Sequence, residues 1–457
     1  MTLPTQSAPA GAIDVGEVIE QQRIGAITLR LVILCALVTF FDGYDMNVIG
    51  YAAPYLAPLF HLSKPMLGMI FSAGNAGPLV GGFLFGALGD RWGRRPALIL
   101  ATSIFGVLTL SLALAHRYEE FLVLRFLNGI ALGGAMPLTW ALGTEYVPQR
   151  LRASIVTLIL MGYGLGVVAA GPISVALIPR FGWSSVFVFG GALSLLAALV
   201  LLVGLPESLR YLATRQTRPA LMARLVNQLS PATAASANSR FVIGDEARRG
   251  PEAHRLASLF RGELQVITPL LWAAYMASSM TAYFFTNWGP HVYEALGFTR
   301  NTAAWIASGN SVAGMIGGLA LMRFTDRFGV SSVAAFPAIA VPLLMIVAFA
   351  SLPQGGFIAA VVLLSIFLNG GHFGIQSIIG LFYPTADRAL GTGWAASMAK
   401  IGSIAGPLIG GWILASSLPI KQTFAVMAIC PALFCACVLV IGSIERARRE
   451  RSGTSRS

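Results

Sequence analysis

Two aspartates lie three residues apart inside an apolar stretch near the start of the chain, in Phe-Asp-Gly-Tyr-Asp at 41–45. At this spacing Asp42 and Asp45 share one face of a helix. Carboxylates inside a membrane are costly and usually face a cavity that serves function. Burial and mutual repulsion both disfavour the charged form, so such a pair can take up and release protons. The alternative is a helix that begins later and leaves both aspartates at the membrane surface.

A second set of polar side chains lies in apolar stretches near the end of the chain. Asn369, His372 and Gln376 are spaced to lie on one helical face, and Lys400 follows in the next apolar stretch. A polar stripe inside a membrane faces either a cavity or a partner helix. His372 therefore contacts a ligand or another helix, and Lys400 is a candidate partner for an anion.

The composition predicts that these residues lie inside a membrane. The 457 residues are 56% hydrophobic and 11% charged, with a mean hydropathy of +0.74. Soluble domains carry about 25% charged residues, and a run of about 20 apolar residues spans a bilayer. The net charge of +12 lies mostly in alternate loops and the tails. That asymmetry is typical of a membrane protein with both termini cytoplasmic and gives no support for a nucleic-acid partner.

Apolar stretches predict twelve spans in two sets of six, separated by a polar segment, in an all-α polytopic membrane protein. The predicted domains are a cytoplasmic N-terminal tail at 1–27, a six-helix bundle at 28–205, a cytoplasmic central loop at 206–264, a second six-helix bundle at 265–443 and a basic cytoplasmic tail at 444–457.

The two sets of spans carry matching motifs in the same order. A turn at 86–95, Gly-Ala-Leu-Gly-Asp-Arg-Trp-Gly-Arg-Arg, has an echo in Thr-Asp-Arg-Phe-Gly at 325–329. Phe-Leu-Asn-Gly occurs at 126–129 and again at 367–370. Such repeats indicate an internal duplication, an arrangement in which secondary transporters bind substrate between the halves near the middle of the membrane.

Arg125 precedes the first Phe-Leu-Asn-Gly, and Ile366 precedes the second. Symmetry of the fold therefore does not require the charge. A guanidinium can hold a carboxylate through two parallel hydrogen bonds. The partner of Arg125 is a bound anion or an internal carboxylate, with Asp42, Asp45 and Glu145 as the candidates.

The repeated Asp-Arg-x-Gly turn resembles that of the major facilitator superfamily, over almost the whole chain. The resemblance implies two pseudo-symmetric six-helix bundles that rock around a central site. The charged residues of these turns are then expected to form cytoplasmic gates, in addition to holding the loops on that side. The predicted gating residues are Asp90, Arg91, Arg94 and Glu145 in the first half and Asp326, Arg327 and Arg388 in the second.

Asp-Gly-Tyr-Asp at 42–45 is similar to a motif of the aromatic acid:proton symporter family within that superfamily. The segments from Arg125 to Gly129, Tyr383 to Arg388 and Gly391 to Ala395 are also similar to it. The family imports hydroxylated benzoates and related aromatic carboxylates with protons. Lys400 departs from it, because an arginine is usual there, and a lysine lacks the bidentate fork that grips a carboxylate.

The resemblance implies a proton-coupled importer of a hydroxybenzoate-class acid, with Asp42 and Asp45 carrying the proton. A planar aromatic acid needs apolar walls and a few polar groups. The predicted substrate contacts are Arg125, His372, Gln376, Lys400, Tyr44, Trp288 and Trp394. Porters of other small organic acids, drug or metabolite exporters of the same fold and, more remotely, a non-transporting membrane sensor are the alternatives.

Enzymatic and metal chemistry are not expected. Four cysteines lie in apolar stretches without metal or disulfide spacing, five histidines are scattered, and no nucleophile–base arrangement occurs. We expect no cofactor other than the proton gradient. The expected partners are an aromatic carboxylate, protons and the lipid of a bacterial inner membrane, in a protein that acts as a monomer.

Overall fold

A computed structural model describes residues 12–22, 24–243, 256–328, 330–384 and 387–454. Its sixteen helices, in chain order, are α1 Val15–Gln21, α2 Ala26–Leu59, α3 Lys64–Trp92, α4 Arg94–Leu112, α5 Tyr118–Glu145, α6 Arg152–Phe181, α7 Ser184–Gly204, α8 Leu209–Arg215, α9 Pro219–Leu229, α10 Leu264–Ala295, α11 Arg300–Phe328, α12 Ala335–Phe349, α13 Gln354–Phe382, α14 Arg388–Ala415, α15 Gln422–Met427 and α16 Ile429–Thr454. Two short strands, β1 Ala12–Asp14 and β2 Arg240–Val242, and several short 3-10 helices are also described.

Twelve of these segments have the length of a membrane span. Eleven are also apolar enough by composition, the last of them joining α15 to α16. The twelfth, α10, has 32 residues. It is less apolar than the others because it carries buried Ser278, Ser279, Thr281 and Asn287. Helices α2–α7 and α10–α16 thus form two six-span halves, and the predicted fold class is confirmed.

The two halves are built alike. In the first half, α3 packs on α5 and α2 on α6; in the second, α11 packs on α13 and α10 on α14. Glycines bring the paired helices into backbone contact. A Cβ on Gly81 would lie 1.9 Å from Ile130 O, and one on Gly317 would lie 2.0 Å from Ile366 O. Glycine allows this approach because it has no side chain to separate the helices.

These equivalent contacts correct one detail of the sequence comparison. Gly317 and Ile366 follow Gly81 and Ile130 at the offset that separates Asp90 from Asp326. At that offset Ile366 is the counterpart of Ile130, and Arg125 corresponds to Val361 instead of Ile366. The matching Phe-Leu-Asn-Gly motifs are therefore out of register in the fold. Arg125 still has an apolar counterpart.

The first and last described residues lie on one side of the bundle, together with α1, α8 and α9, because the number of spans is even. We refer to it as the terminus side and to the opposite side as the far side. Hydrogen bonds join the halves from the far side to the middle: the hydroxyls of Tyr51 and Ser308 lie 3.2 Å apart, and Asn75 Nδ2 donates to Ser403 O at 2.9 Å. The structure is therefore closed on the far side.

On the terminus side, the central segment folds against the first half. β1 pairs in parallel with β2, with Ala12 opposite Arg240. Gln22 Nε2 donates to Tyr146 O at 2.8 Å, and the Tyr146 hydroxyl donates to Glu207 O. The central segment, which the sequence presented as a polar linker, thus packs with the N-terminal segment as a small subdomain on this half.

Gly68 allows close contact where α3 meets α14 on the far side. A Cβ there would approach Pro407 O to 2.8 Å, and a backbone carbonyl cannot move aside as a side-chain tip can. We expect Gly68→Leu to separate the halves on the far side. The measurement is maleimide labelling of Ser72→Cys, a buried position that bonds Ile404 O, after replacement of the four native cysteines. Labelling should increase several-fold.

Gly86→Leu is the matched control, because Gly86 lies on the same helix with nothing within 4 Å of the added Cβ. Equal labelling in the two variants would mean that the Gly68 contact does not hold the far side closed.

Candidate functional site

A buried ion pair lies inside the first half. Arg125 Nη1 on α5 donates to Asp45 Oδ2 on α2 at 2.7 Å, and the side chains are 2% and 1% exposed. Of the partners open from the sequence, the structure selects Asp45. The desolvation of two charges is costly, so each side chain depends on the other to remain charged. In this conformation the Arg125 guanidinium is therefore paired with a carboxylate of its own half.

The surroundings of Arg125 are shaped by α3 and α4. A Cβ on Gly74 would lie 2.9 Å from Arg125 Nη2, so glycine leaves the guanidinium its space. One turn along α5, Asn128 Nδ2 donates to the Thr109 hydroxyl on α4 at 2.9 Å. Both residues are almost fully buried. The ion pair is therefore enclosed by α2, α3, α4 and α5.

A second cluster lies between the two halves. Asp42 is buried on α2, and the Lys400 ammonium on α14 is close enough to interact with it electrostatically. Lys400 also interacts with His372 on α13. Tyr163 on α6 lies beside Asp42 and reaches Tyr283 on α10. Carboxylate, ammonium, imidazole and phenol groups from both halves thus lie within electrostatic range of one another near the middle of the bundle.

His372 is held by a polar partner on α10. Ser278 Oγ lies 2.9 Å from His372 Nδ1. The Tyr275 ring lies 5.6 Å from the imidazole, and Gln376 interacts with the Tyr275 hydroxyl. His372 and Gln376 therefore occupy a face that meets α10. Asn369, the third member of the predicted stripe, lies against Gly314 of α11. The imidazole is hydrogen-bonded to Ser278 on α10 and also lies within electrostatic range of Lys400.

Three predicted substrate contacts lie outside this cluster. Tyr44 points into the first half, where its hydroxyl donates to Val186 O at 2.9 Å. Trp288 is 0% exposed, and its Nε1 donates to Pro407 O at 2.9 Å. Trp394 stacks on Trp272 with ring centroids 5.9 Å apart, near the terminus-side ends of α14 and α10. Their positions give Tyr44 and Trp288 packing roles in this conformation.

The turn at 86–95 contains an ion pair with the end of α5. Arg94 Nη1 lies 3.0 Å from Glu145 Oε1, and the Ser208 hydroxyl donates to the same carboxylate. Gly93 has φ +104°, which favours glycine, and a Cβ there would lie 2.5 Å from Glu207 Oε2. Glu207 Oε1 accepts from Arg95 N at 3.1 Å. A carboxylate at a helix N-terminus is stabilising, so Glu207 anchors the central segment to α4.

The other predicted gating residues lie near the ends of α3, α11 and α14. Asp90 and Arg91 are exposed, and Arg91 O accepts from the Tyr211 hydroxyl at 3.3 Å. Arg327 and Arg388 are exposed at the ends of α11 and α14. The side chain of Asp326 lies outside the described residues. Gating roles for these residues stay predictions.

Sequence analysis missed three members of these networks. Tyr163 and Ser278 each occur in a span with many small or polar residues, and no spacing sets them apart. Glu207 follows Pro206 at the start of the central segment, and only the fold brings it to Gly93. Among the described residues, no group of three or more His, Cys, Asp or Glu side chains could hold a metal ion.

Two similar six-helix bundles with polar groups at their shared interface define a secondary transporter, a class that binds substrate between the repeats near the middle of the membrane. The family model of the Major Facilitator Superfamily matches residues 35–262 and 270–457. The chain belongs to the Major Facilitator Superfamily and is a transporter, not an enzyme.

Curated relatives align over nearly the whole chain. The 4-hydroxybenzoate transporter PcaK of Pseudomonas aeruginosa is 33% identical over 436 residues, covering 95% of this chain and 97% of the relative. The gallate transporter of Pseudomonas putida is 32% identical over 450 residues, with 98% of both chains covered. These relatives support the aromatic acid transporter resemblance that was read from the motifs.

Solved structures share the fold at lower identity. The xylose transporter XylE of E. coli, in a partially occluded inward open conformation, aligns with a TM-score of 0.68 at 17% identity, covering 90% of this chain and 97% of that one. An inward-facing, occupied bacterial homolog of the human lysosomal transporter Spinster aligns with a TM-score of 0.69 at 16% identity, covering 92% and 98%. At this level of sequence identity, the similarity shows that the fold is shared and nothing more.

Removal of one member of the buried ion pair should cost more than removal of both charges. We expect Arg125→Gln to lower stability by about 3–5 kcal/mol, because it leaves Asp45 charged and unpaired in the interior. Adding Asp45→Asn should recover much of this loss. The measurement is thermal unfolding of the purified protein in detergent, comparing both single variants with the double variant. A double variant less stable than each single variant would contradict the pairing.

Proposed function

We propose that this protein is a proton-coupled symporter that imports an aromatic carboxylate of the hydroxybenzoate class across a bacterial inner membrane. The terminus side is then cytoplasmic, as the distribution of Lys and Arg predicts. The described conformation, closed on the far side, corresponds to a transporter whose site faces the cytoplasm. No cofactor is part of the proposal, and a single chain is the working unit.

The position of Lys400 carries this proposal. Its ammonium interacts with Asp42 of the other half and with His372 of its own half. A substrate carboxylate entering between the halves would compete with Asp42 for this cation. Protonation of Asp42 removes its negative charge, and the Lys400 ammonium is then available to bind the substrate carboxylate. Proton binding and substrate binding would then favour each other, which is the thermodynamic requirement for symport.

The interface also supplies groups suited to an aromatic acid. The phenol groups of Tyr163 and Tyr283 and the imidazole of His372 can donate or accept hydrogen bonds. Tyr275, which packs beside His372, adds an aromatic face. Such a mixture of apolar walls and a few placed polar groups is typical of sites for small organic ligands. The 4-hydroxybenzoate and gallate transporters among the relatives support the same substrate class.

The ion pair of Asp45 with Arg125 serves as the second proton-linked group in this proposal. Protonation of Asp45 would weaken its hold on Arg125 inside the first half. The guanidinium could then adjust as the halves rock, and we propose it as a coupled residue instead of a direct substrate ligand in this conformation. The gating roles of Asp90, Arg94 and Glu145 belong to the same cycle, in which contacts between the halves form on the terminus side when the far side opens, in addition to the Arg94–Glu145 pair within the first half.

Lys400→Gln should abolish uptake, because the site loses the cation that holds the substrate carboxylate. The measurement is uptake of radiolabelled 4-hydroxybenzoate into proteoliposomes with an inward proton gradient. Lys400→Arg should retain uptake, since a guanidinium keeps the charge and adds a bidentate grip. Collapse of the gradient should remove concentrative uptake by the unaltered protein.

Lys421→Gln is the matched control. It makes the same chemical change away from the site, because Lys421 lies just before α15 on the far side. Absence of uptake by the unaltered protein, with the gradient in place, would exclude this substrate. Unimpaired uptake by Lys400→Gln would exclude Lys400 as the anion partner.

A further inference from the structure

Two cations lie at equivalent positions on the far side. Lys64 is the first residue of α3 and Arg300 is the first residue of α11, at the offset that separates the repeated Asp-Arg turns. The residue before each cation caps its helix. Ser63 Oγ accepts from the backbone N–H of the third helical residue at 3.4 Å, and Thr299 Oγ1 does the same at 3.2 Å. The internal duplication therefore places one cation at the far-side rim of each half.

Lys64 reaches from the first half to the second. Its Nζ donates to Leu414 O, in the last turn of α14, at 2.6 Å. The last carbonyls of a helix have no partner within that helix, and a cation beside them is favoured by the helix dipole. His291 on α10 also lies within electrostatic range of this ammonium. Lys64 thus joins the start of α3 to the end of α14.

Arg300 reaches in the opposite direction, from the second half to the first. Its Cζ lies 4.4 Å from the centroid of the Tyr55 ring on α2. A guanidinium over the face of an aromatic ring is attracted to it. Arg300 Nε also donates to Glu294 Oε1 at 2.7 Å, on α10 of its own half. At the offset of the duplication Tyr55 corresponds to His291, so each cation faces the same position of the opposite half.

The surroundings suit a different cation at each position. The counterpart of Leu414 is Ile178 at the end of α6, which lines a small cavity together with Arg300. Ile178 O already accepts from Gly182 N at 2.9 Å. A planar guanidinium stacks on the aromatic face that is present instead, whereas the compact ammonium of a lysine suits a single carbonyl oxygen.

We infer that Lys64 and Arg300 form a reciprocal clamp, in which a cation from each half binds the other half and stabilises the conformation closed on the far side. Separation of the halves there breaks the Lys64 bond to Leu414 O and the Arg300 contact with Tyr55, because each joins residues of different halves. The Arg300–Glu294 pair lies within the second half and can persist. The clamp acts on conformation alone and depends on neither the substrate nor the proton.

The first test is maleimide labelling of the buried position Ser72→Cys, without substrate, after replacement of the four native cysteines. Lys64→Met should raise the labelling rate about tenfold, because a charge-assisted hydrogen bond between the halves is lost. Arg300→Met should raise it about 2- to 5-fold, as expected for a half-exposed cation–aromatic contact. Lys64→Arg should label at nearly the rate of the unaltered protein, because it keeps a cation that can donate to the carbonyl.

Lys421→Met and Arg117→Met are the matched controls, because each removes a far-side cation outside the clamp. Lys421 lies just before α15, and Arg117 lies just before α5 and interacts with Glu120 of its own half. Ser194→Cys is the control for folding. Ser194 is buried inside the first half, so a cysteine there should remain unlabelled in every variant that folds. Labelling of Ser72→Cys at the control rate in either clamp variant would overturn the reciprocal clamp.

The second test isolates the contact of Arg300 with the first half. Tyr55→Leu removes the aromatic face and leaves the Arg300–Glu294 pair in place. Because Tyr55→Leu and Arg300→Met remove the same contact, the two single variants and the double variant should label Ser72→Cys at similar rates. Effects that combine in full in the double variant would show that the two residues act separately, which contradicts this half of the clamp.

The clamp and the proposed symport fail separately. Labelling needs neither substrate nor a proton gradient, so absence of 4-hydroxybenzoate uptake would exclude that substrate, and the labelling rates would still judge the clamp. Gradient-driven uptake by the unaltered protein, together with control-rate labelling of Lys64→Met and Arg300→Met, would overturn the clamp alone.

Discussion

The cost of placing charge in a membrane interior governs this structure. Asp45 and Arg125 lie almost completely out of solvent, and each is tolerable there only because the other is 2.7 Å away. Loss or gain of a proton at Asp45 therefore changes the energy of the whole first half. Asp42 is under the same constraint, and the favourable charge that acts on it is Lys400 of the second half. One aspartate is thus balanced within a half and the other across the interface, so their protons act on different parts of the molecule.

Glycine sets the geometry in which these charges meet. Gly74 gives the Arg125 guanidinium its space, and a Cβ on Gly43 would lie 2.1 Å from Tyr163 O, which places α6 beside Asp42. On the far side, Gly68 and Gly171 bring the halves into direct contact, with a Cβ on Gly171 only 1.9 Å from Ser308 Oγ. Small residues therefore serve two purposes. Within a half they allow helices to pack backbone against backbone. Between the halves they form a surface that can separate without the withdrawal of interdigitated side chains.

The subdomain on the terminus side connects the loop charges to the bundle. Glu207 occupies the space beside Gly93 and bonds the first turn of α4, while Ser208 and Arg94 share the Glu145 carboxylate. At the other end of the central segment, the Ser258 hydroxyl donates to Asp387 Oδ1 at 2.7 Å, just before α14 begins. The described parts of the segment between the halves thus contact both.

The sequence alone determined the fold class, the duplication and the importance of the charged residues in apolar stretches. These properties are local: the length of an apolar run, the recurrence of a turn and the cost of an isolated charge in lipid are all readable along the chain. The sequence left the partner of Arg125 open, did not show what the side chains of Tyr44 and Trp288 touch, and gave no reason to select Tyr163 or Ser278. Only the tertiary structure shows these contacts, because helix rotation determines which face meets which neighbour. Nearly every face of a membrane helix is apolar, so hydrophobic periodicity, which orients helices in soluble proteins, carries little of that information here.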